Sequence, residues 1–394
     1  MIYTIQPPAS LHAAIRLPAS KSISNRILIL NALSKSNYPI ENLSDSDDTR
    51  VLAQALASLH AGNSAFDIGA AGTSMRFLTA YLAQNEGVWT ITGTERMKNR
   101  PIKILADSLR EIGGEIEYLE KEGFPPLQIH GRKLSGGAVR LNGGVSSQYL
   151  SALMMIAPAT QQGLEIQLEG TVISLPYIEM TIRLMQTFGV RSEWSGQHIR
   201  IEPQLYKPVP FTVESDWSAA SYWYEITALA GNSAAVELPG LEQDSIQGDA
   251  KVADLFQRMA SVGALNYDFT NEPDLAQTLV VSCCLLDIPF RFTGLQSLRI
   301  KETDRISALQ TELKKLGYRI QTGEAAMEWA GERCEPDTDP IISTYEDHRM
   351  AMAFAPVCLK TGKIKIKDPN VVSKSYPGFW EELKRAGFRV ELSL

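Results

Sequence analysis

One pattern of apolar and polar positions returns along this chain. A helical stretch ends on an apolar residue, two others, a second apolar residue and a glycine, and an alternating or β-branched stretch follows. Leu109-Arg110-Glu111-Ile112-Gly113, Met185-Gln186-Thr187-Phe188-Gly189 and Met259-Ala260-Ser261-Val262-Gly263 are three copies. Leu313-Lys314-Lys315-Leu316-Gly317 and Leu383-Lys384-Arg385-Ala386-Gly387 are two more, and Leu56-Ala57-Ser58-Leu59-His60 is a sixth without the glycine. The i, i+3 apolar pair is the stripe that a helix lays on a sheet. Glycine suits the next position because the chain leaves through a left-handed conformation, where a Cβ is penalised. Strands are predicted behind these ends at 115–118, 190–194 and 388–392. The copies lie too far apart for a solenoid. They predict an α/β fold of two domains, three helix–strand units each, with helices packed inside sheets. The competing explanation is that α/β proteins often end helices this way. Pro208 to Asp216 leads through two prolines into a new helix near Trp217 capped by Asp216, which marks one domain boundary. A second lies near Pro18.

The helix starts carry the chemistry. In Leu17-Pro18-Ala19-Ser20-Lys21-Ser22-Ile23-Ser24-Asn25-Arg26 the proline keeps the chain extended and Ser20 reads as an N-cap. Free N–H groups, the positive end of the helix dipole and two cations then face one way, which suits a phosphate or a carboxylate. Taken alone, the stretch is also explained as a plain capped helix with Lys21 and Arg26 in solvent. Gly69 to Arg76 is small and flexible and turns into a helix over 77–83, so its backbone can approach an anion closely. Arg96-Met97-Lys98-Asn99-Arg100-Pro101 gathers three cations in a strand-to-helix turn with Pro101 at N1. Gly143 to Gln148 opens a helix over 149–156, and one of Ser146 and Ser147 is accounted for as its cap. Ser174-Leu175-Pro176-Tyr177 opens another.

Asp274 lies at the mouth of an apolar helix over 275–286, where it reads as a cap. In Lys301-Glu302-Thr303-Asp304-Arg305 the two end cations are i, i+4 neighbours if helical, with Glu302 between them. Asp347-His348-Arg349 begins an apolar helix on a cation, which once buried needs an anionic partner. Lys374-Ser375-Tyr376-Pro377 puts another cation before a helix. Lys21, Arg26, Arg100, Lys301, Arg305, Arg349 and Lys374 thus oppose helix dipoles at a cost of about 0.3–1 kcal/mol each. Together they call for a shared anionic ligand. Asp274 and Glu302 are the candidates for proton transfer in the same site.

Composition narrows the ligand. A chain of 394 residues, 44% hydrophobic, can fill two or three domains. A net charge of −7 gives no general attraction for nucleic acid or acidic membranes, so anions must be held by a local cluster. Cys283, Cys284, Cys334 and Cys358 form no C-x-x-C arrangement and read as reduced, buried thiols. The five histidines are scattered, so no metal site is expected. No leader pattern follows Met1 and no apolar run approaches membrane-spanning length. A cytoplasmic protein is expected.

Over its whole length the chain resembles the 5-enolpyruvylshikimate-3-phosphate synthases, which are enolpyruvyl transferases. The 301–305 and 347–353 segments are the most specific matches. The resemblance implies two domains of three βαβαββ units each, an inverse α/β barrel-like arrangement. It implies two chain crossings, giving domains of 1–17 with 217–394 and 18–216, with the active site in the cleft between them. It implies that the enolpyruvyl group of phosphoenolpyruvate passes to the 5-hydroxyl of shikimate 3-phosphate with release of phosphate, without metal or organic cofactor. Shikimate 3-phosphate would be held by Lys21, Ser22, Arg26, Ser146, Ser147, Gln148, Ser174, Asp274 and Lys301, with Tyr177 beside it. Phosphoenolpyruvate would be held by Lys21, Gly72, Arg100, Gln148, Arg305, Arg349 and Lys374. Asp274 would be the base and Glu302 the acid, with Lys21 the third catalytic group. The partners would be these two small molecules, bound by a monomer. Ala70, Phe77, Trp217 and Ser297 depart from the family's commoner residues, and none of them removes a charged group. Gly72 is kept, which implies that glyphosate competes with phosphoenolpyruvate. Two alternatives stand beside this reading: a UDP-N-acetylglucosamine enolpyruvyl transferase, and a non-catalytic anion-binding paralogue.

Overall fold

The computed structural model describes residues 1–144, 146–231 and 234–393. Val145, inside one predicted helix start, lies outside them. The chain divides into two compact units, 1–18 with 215–394, and 19–214.

Each unit holds two four-stranded sheets and one two-stranded sheet. The four larger sheets share one plan, a parallel pair extended by two antiparallel strands. In 19–214, Ala65–Asp67 runs parallel to Gly87–Thr92, which pairs antiparallel with Leu127–Gly131 and then Glu115–Tyr118. Gly137–Asn142, Leu164–Glu169, His198–Ile201 and Glu193–Ser195 repeat that order. In the other unit Leu265–Asp268, Phe290–Thr293, Met327–Trp329 and Gln321–Thr322 follow it too. The last copy is Ile341–Ser343, Ile364–Lys367, Ile2–Gln6 and Arg389–Ser393. The N-terminal strand is therefore the inner strand of a sheet that is otherwise C-terminal, which is why this unit is built from two pieces of chain.

Helices fill each unit. Gly72–Ala83 is buried at every position, and Ser147–Ile156 at all but its first two. Ala276–Leu285 and His348–Phe354 are buried throughout. Such helices are buried on every face by sheet or helix, and mostly apolar for that reason, with Arg76 and Arg349 the buried cations among them. Helices nearer the surface keep a stripe, as Val252, Leu255, Phe256 and Met259 do in Val252–Met259.

Four of the predicted helix ends close as expected, with Gly113, Gly189, Gly317 and Gly387 left-handed at φ of 99°, 81°, 91° and 92°. Two differ. The Asp47–His60 helix runs on through His60 and closes at Gly62, φ 90°, so its glycine is displaced and not lost. Gly263 is not among the left-handed residues, because Val252–Met259 ends in an ordinary right-handed turn at Ala260. The strand predicted from Val190 begins only at Glu193. The helix predicted from Phe77 begins at Gly72, since small residues enter a helix as readily as they make a loop. Pro101 is not at N1: Ile102 caps the Lys103–Glu111 helix, and a short helix, Glu95–Lys98, occupies the basic turn.

Candidate active site

In the 19–214 unit one arginine organises four helices. Ser20 caps Lys21–Leu33 by accepting from the Ile23 N–H, which fixes the turn carrying Lys21 and Arg26. Arg26 is 2% exposed. Its Nε donates to Thr181 Oγ1 at 2.8 Å, Nη1 to the Ser22 carbonyl at 2.9 Å, and Nη2 to Ser151 Oγ at 2.9 Å and the Tyr177 carbonyl at 3.4 Å. The guanidinium also lies 5.5 Å from the Phe77 ring centre and 5.9 Å from that of Tyr177. Phe77, Ser151 and Thr181 stand in the early turns of their helices, as Arg26 does. The starts of Lys21–Leu33, Gly72–Ala83, Ser147–Ile156 and Leu175–Thr187 are thereby held at one level. None of the four has an acidic residue in its first turn. Burial pushes Arg26 down to about 10, with Tyr177 acting the other way, so it remains charged at neutral pH. Its hydrogen bonds go to neutral oxygens, so its charge adds to the positive ends of the dipoles.

Further cations line the same starts. A Cβ on Gly72 would strike Arg100 Nη1 and come within 2.9 Å of Arg76 Nη1. Glycine there lets two guanidiniums meet over a helix N-terminus. Arg76 is anchored by the Gly72 carbonyl at 2.7 Å and lies 5.1 Å from the Tyr149 ring centre. Lys21 Nζ stands 3.5 Å from Asp48. Ser146 caps Ser147–Ile156 by accepting from the Gln148 N–H, while Gln148 Nε2 donates to Thr73 Oγ1 at 3.1 Å. Ser174 is left-handed, φ 57°, ahead of Leu175–Thr187, and its side chain makes no capping bond.

In the unit of 1–18 and 215–394 the cations are wrapped in carboxylates. Arg305, 1% exposed, is the hub. Its Nε donates to Asp347 at 2.7 Å, Nη1 to Asp274 at 3.0 Å and Nη2 to Glu302 at 3.0 Å. Burial alone would lower it; Asp347, Glu302 and Asp274 together raise it above the usual arginine range. Arg349 Nη2 lies 3.0 Å from Asp274 Oδ2 and 3.4 Å from Ser218 Oγ, and Nη1 3.1 Å from the Asp274 carbonyl and 3.4 Å from Tyr222 Oη. Lys301 Nζ is 3.6 Å from Asp274, and Lys374 Nζ donates to the Glu346 carbonyl at 2.9 Å. Asp249, hydrogen-bonded by Ser218, is pushed up to about 7 by burial first and then by the Asp274 charge, against the pull of Arg349.

Several expectations are corrected here. Asp274 caps no helix: it sits inside a short 3-10 turn, Pro273–Leu275, and its carboxylate meets three cations. Lys301 and Arg305 are not i, i+4 helical neighbours, because the helix starts at Arg305 with Asp304 as its cap. Lys374 ends a 3-10 turn, Pro369–Lys374, five residues before the next helix. Of the seven cations, Lys21, Arg305 and Arg349 do occupy a first helical turn; Arg26 lies in the second, and Arg100 and Lys301 precede theirs. The anionic partner that Arg349 requires is Asp274. Trp217 stacks on Tyr224, ring centres 6.5 Å apart.

Sequence reasoning passed over Arg76, Asp249 and Asp347 as site residues. Arg76 is four residues after Gly72, one helical turn, once the helix is known to start there. Asp347 caps His348–Phe354 by accepting from the Arg349 N–H, and its second role toward Arg305 depends on tertiary packing. Asp249 carried no signal of its own. Among the described residues one group has metal-ligand spacing, Glu115, Glu117 and His130 on two paired strands, where Arg132 also pairs with Glu115.

The family model described as EPSP synthase (3-phosphoshikimate 1-carboxyvinyltransferase) matches residues 5–67 and 58–383. A 3-phosphoshikimate 1-carboxyvinyltransferase of Bacteroides fragilis is 54% identical, covering 100% of this chain and 99% of its own. One from Aliivibrio fischeri is 36% identical over 97% of this chain and 98% of its own. The fold resembles that of a solved EPSP synthase from Acinetobacter baumannii, with a TM-score of 0.81, 21% identity and 100% of both chains covered. It also resembles the enolpyruvyl transferase NikO from Streptomyces tendae, with a TM-score of 0.72, 16% identity and 99% and 98% covered.

Proposed function

The chain belongs to the EPSP synthase (3-phosphoshikimate 1-carboxyvinyltransferase) family, and from that premise we propose how its residues carry the reaction. The enzyme transfers the carboxyvinyl group of phosphoenolpyruvate to the 5-hydroxyl of shikimate 3-phosphate and releases inorganic phosphate, a step of the shikimate pathway to chorismate. The hydroxyl oxygen bonds to C2 and gives up its proton while C3 takes one. The C2–O bond to phosphate then breaks and C3 loses a proton, restoring the double bond.

Shikimate 3-phosphate is assigned to Lys21, Ser22, Arg26, Ser146, Ser147, Gln148, Ser174, Tyr177, Asp274 and Lys301. Arg26 acts mainly through its charge and by holding the helix starts, since four of its five N–H groups already have protein acceptors. Phosphoenolpyruvate is assigned to Lys21, Gly72, Arg100, Gln148, Arg305, Arg349 and Lys374, to which we add Arg76. The observation that carries these assignments is four helix starts without a first-turn acid, joined through Arg26, with Lys21, Arg76 and Arg100 at two of them. Backbone N–H groups and guanidiniums placed in advance stabilise a departing phosphate without reorganising. Asp274 is assigned as the base for the hydroxyl and Glu302 as the acid toward C3. An anion arriving on Arg305 and Arg349 competes with both carboxylates for the same guanidiniums and releases them for proton transfer.

The UDP-N-acetylglucosamine reading would need a reactive cysteine. Cys283, Cys284 and Cys358 are buried and burial pushes each thiol up, Cys358 to about 12, while Cys334, expected to be buried, is partly exposed with its thiol on the Lys314 carbonyl at 3.5 Å. A non-catalytic paralogue would have no use for Asp274 and Glu302 on one buried arginine. The same reading makes the enzyme a cytoplasmic monomer. No helix among the described residues is long and apolar enough to cross a membrane.

The test is phosphate release from phosphoenolpyruvate with shikimate 3-phosphate as acceptor and UDP-N-acetylglucosamine in parallel. Release with shikimate 3-phosphate alone is expected. Release with neither acceptor, from folded protein, rejects the reading.

A further inference from the structure

Tyr345 and Glu346 are both left-handed, at φ 53° and 56°, and no other pair of non-glycine neighbours among the described residues shares that conformation. They are the central residues of a four-residue turn closed by the Asp347 N–H on the Thr344 carbonyl at 2.8 Å. Turns with two left-handed central residues favour Asn, Asp and Gly, because a larger side chain sets its Cβ against the backbone. A tyrosine and a glutamate keep the conformation only where their neighbours impose it. The turn joins the edge strand Ile341–Ser343 to the His348–Phe354 helix, and so delivers Asp347 and Arg349.

What imposes it is a buried acid that the proposed reaction does not use. Glu312 is fully buried, two turns along the Arg305–Lys315 helix from Arg305. Its Oε1 accepts from Tyr345 Oη at 2.6 Å. Its Oε2 accepts from the Ser343 N–H at 3.1 Å and from Lys315 Nζ at 2.6 Å. Lys315 also reaches the Ile341 carbonyl at 2.8 Å. With Arg305 Nε on Asp347 at 2.7 Å, one helix grips the chain on both sides of Glu346. Asp347 then serves Arg305 and the Arg349 N–H together, and the Glu346 carbonyl meets Lys374 Nζ at 2.9 Å.

We propose that Glu312 and Tyr345 are a positioning pair for the phosphoenolpyruvate contacts. Their hydrogen bond holds the 344–347 turn in its left-handed form, and the turn sets Asp347 on Arg305 and the Glu346 carbonyl on Lys374. Neither member of the pair is assigned to a substrate. The tyrosine is 38% exposed, so packing of its ring does little to fix the turn, and the hydroxyl is the link that matters. The other bonds of Glu312 tie it to the edge strand and to its own helix, which makes the carboxylate a fixed anchor for that hydroxyl.

The inference rests on the proposed reaction, and its test separates the two. Tyr345→Phe removes only the hydroxyl. It is expected to lower kcat/KM for phosphoenolpyruvate about 10-fold, chiefly through KM, with KM for shikimate 3-phosphate little changed. On a Glu346→Asn background the same change should cost less than about 3-fold, because asparagine takes the left-handed conformation with less help. Amide exchange over 343–349, followed by mass spectrometry, gives a second readout that needs no turnover. Tyr345→Phe should speed it about 10-fold, and by less than about 3-fold beside Glu346→Asn. Equal losses on the two backgrounds overturn the proposal, because the hydroxyl then acts otherwise than by holding the turn. Unchanged kinetics or unchanged exchange in Tyr345→Phe also overturns it. A native enzyme that releases no phosphate rejects the reaction instead. The exchange rates still decide the pair in that case, and equal rates in native protein and Tyr345→Phe would overturn the inference.

Discussion

Arg26 and Arg305 are both buried and each is the hub of a cluster in its own unit, yet their surroundings are opposite. Arg26 is held by two hydroxyls and two backbone carbonyls, and the helix starts around it carry no first-turn acid. Arg305 is held by Asp347, Asp274 and Glu302. The first arrangement leaves positive charge for an incoming anion to neutralise. The second is balanced before any substrate arrives. On the proposed assignment the difference sorts two tasks that the sequence presents as one: a receptor for anions needs cations not balanced by acids, whereas proton transfer needs carboxylates whose partners can be taken over by substrate.

The largest expected effect tests the proton-handling half. Asp274→Ala should reduce phosphate release by about 10³-fold, and Glu302→Gln by about 10²-fold, with folded structure retained. Near-native turnover in either variant removes that residue from its assigned role. If both fall while inorganic phosphate still binds, the receptor and the proton machinery are separable, as the comparison requires.

A stability measurement tests the comparison directly. Arg305→Met strands Asp347 and Glu302 in a buried site and should cost about 3–5 kcal/mol. Arg26→Met leaves neutral oxygens behind, and Ser151 Oγ still has Thr181 Oγ1 at 2.9 Å. It should cost only about 1–2 kcal/mol while weakening shikimate 3-phosphate binding. Urea unfolding of the two variants decides it. Equal losses would mean that Arg26 has a charged partner and that the two halves are alike.

This contrast was half legible in the sequence. The i, i+3 apolar pair followed by glycine announced the helix ends, because a left-handed exit constrains residue type locally. The plan of two units of packed sheets and helices followed from counting those ends. The cations near helix starts were visible for the same reason, as local conflicts with the dipole. What stayed hidden depends on tertiary neighbours. Nothing in 301–305 shows that Asp274 and Asp347 converge on Arg305, nor that Arg26 finds Thr181 and Ser151 where Arg305 finds acids. The helix over 72–83 was placed five residues late because Gly72-Thr73-Ser74 has loop composition, and that error concealed Arg76. Gly62 was missed because two extra helical residues shifted the pattern out of frame.

Asp249 provides the smallest expected effect and the sharpest measure of the balance around Arg349. Asp249, Asp274, Glu302 and Asp347 are four carboxyl groups set about Lys301, Arg305 and Arg349, and Asp249 is the one whose burial and negative neighbour hold a proton to about 7. Its ordinary value is 3.8, so the folded protein binds this proton more tightly than the unfolded chain. The sign follows from linkage: the contribution is fully present below about 4, declines as pH rises toward 7 and is absent above it. Asp249→Asn keeps the shape and can still hydrogen-bond Ser218, so its stability should be nearly flat over that window. The native protein should lose stability relative to the variant as pH rises, read as the difference in urea midpoint at each pH. A constant difference would mean that Asp249 is ionised throughout and has its own cation. The second half would then hold more compensating positive charge than the four acids around Arg305 and Arg349 imply, and its contrast with Arg26 would weaken accordingly.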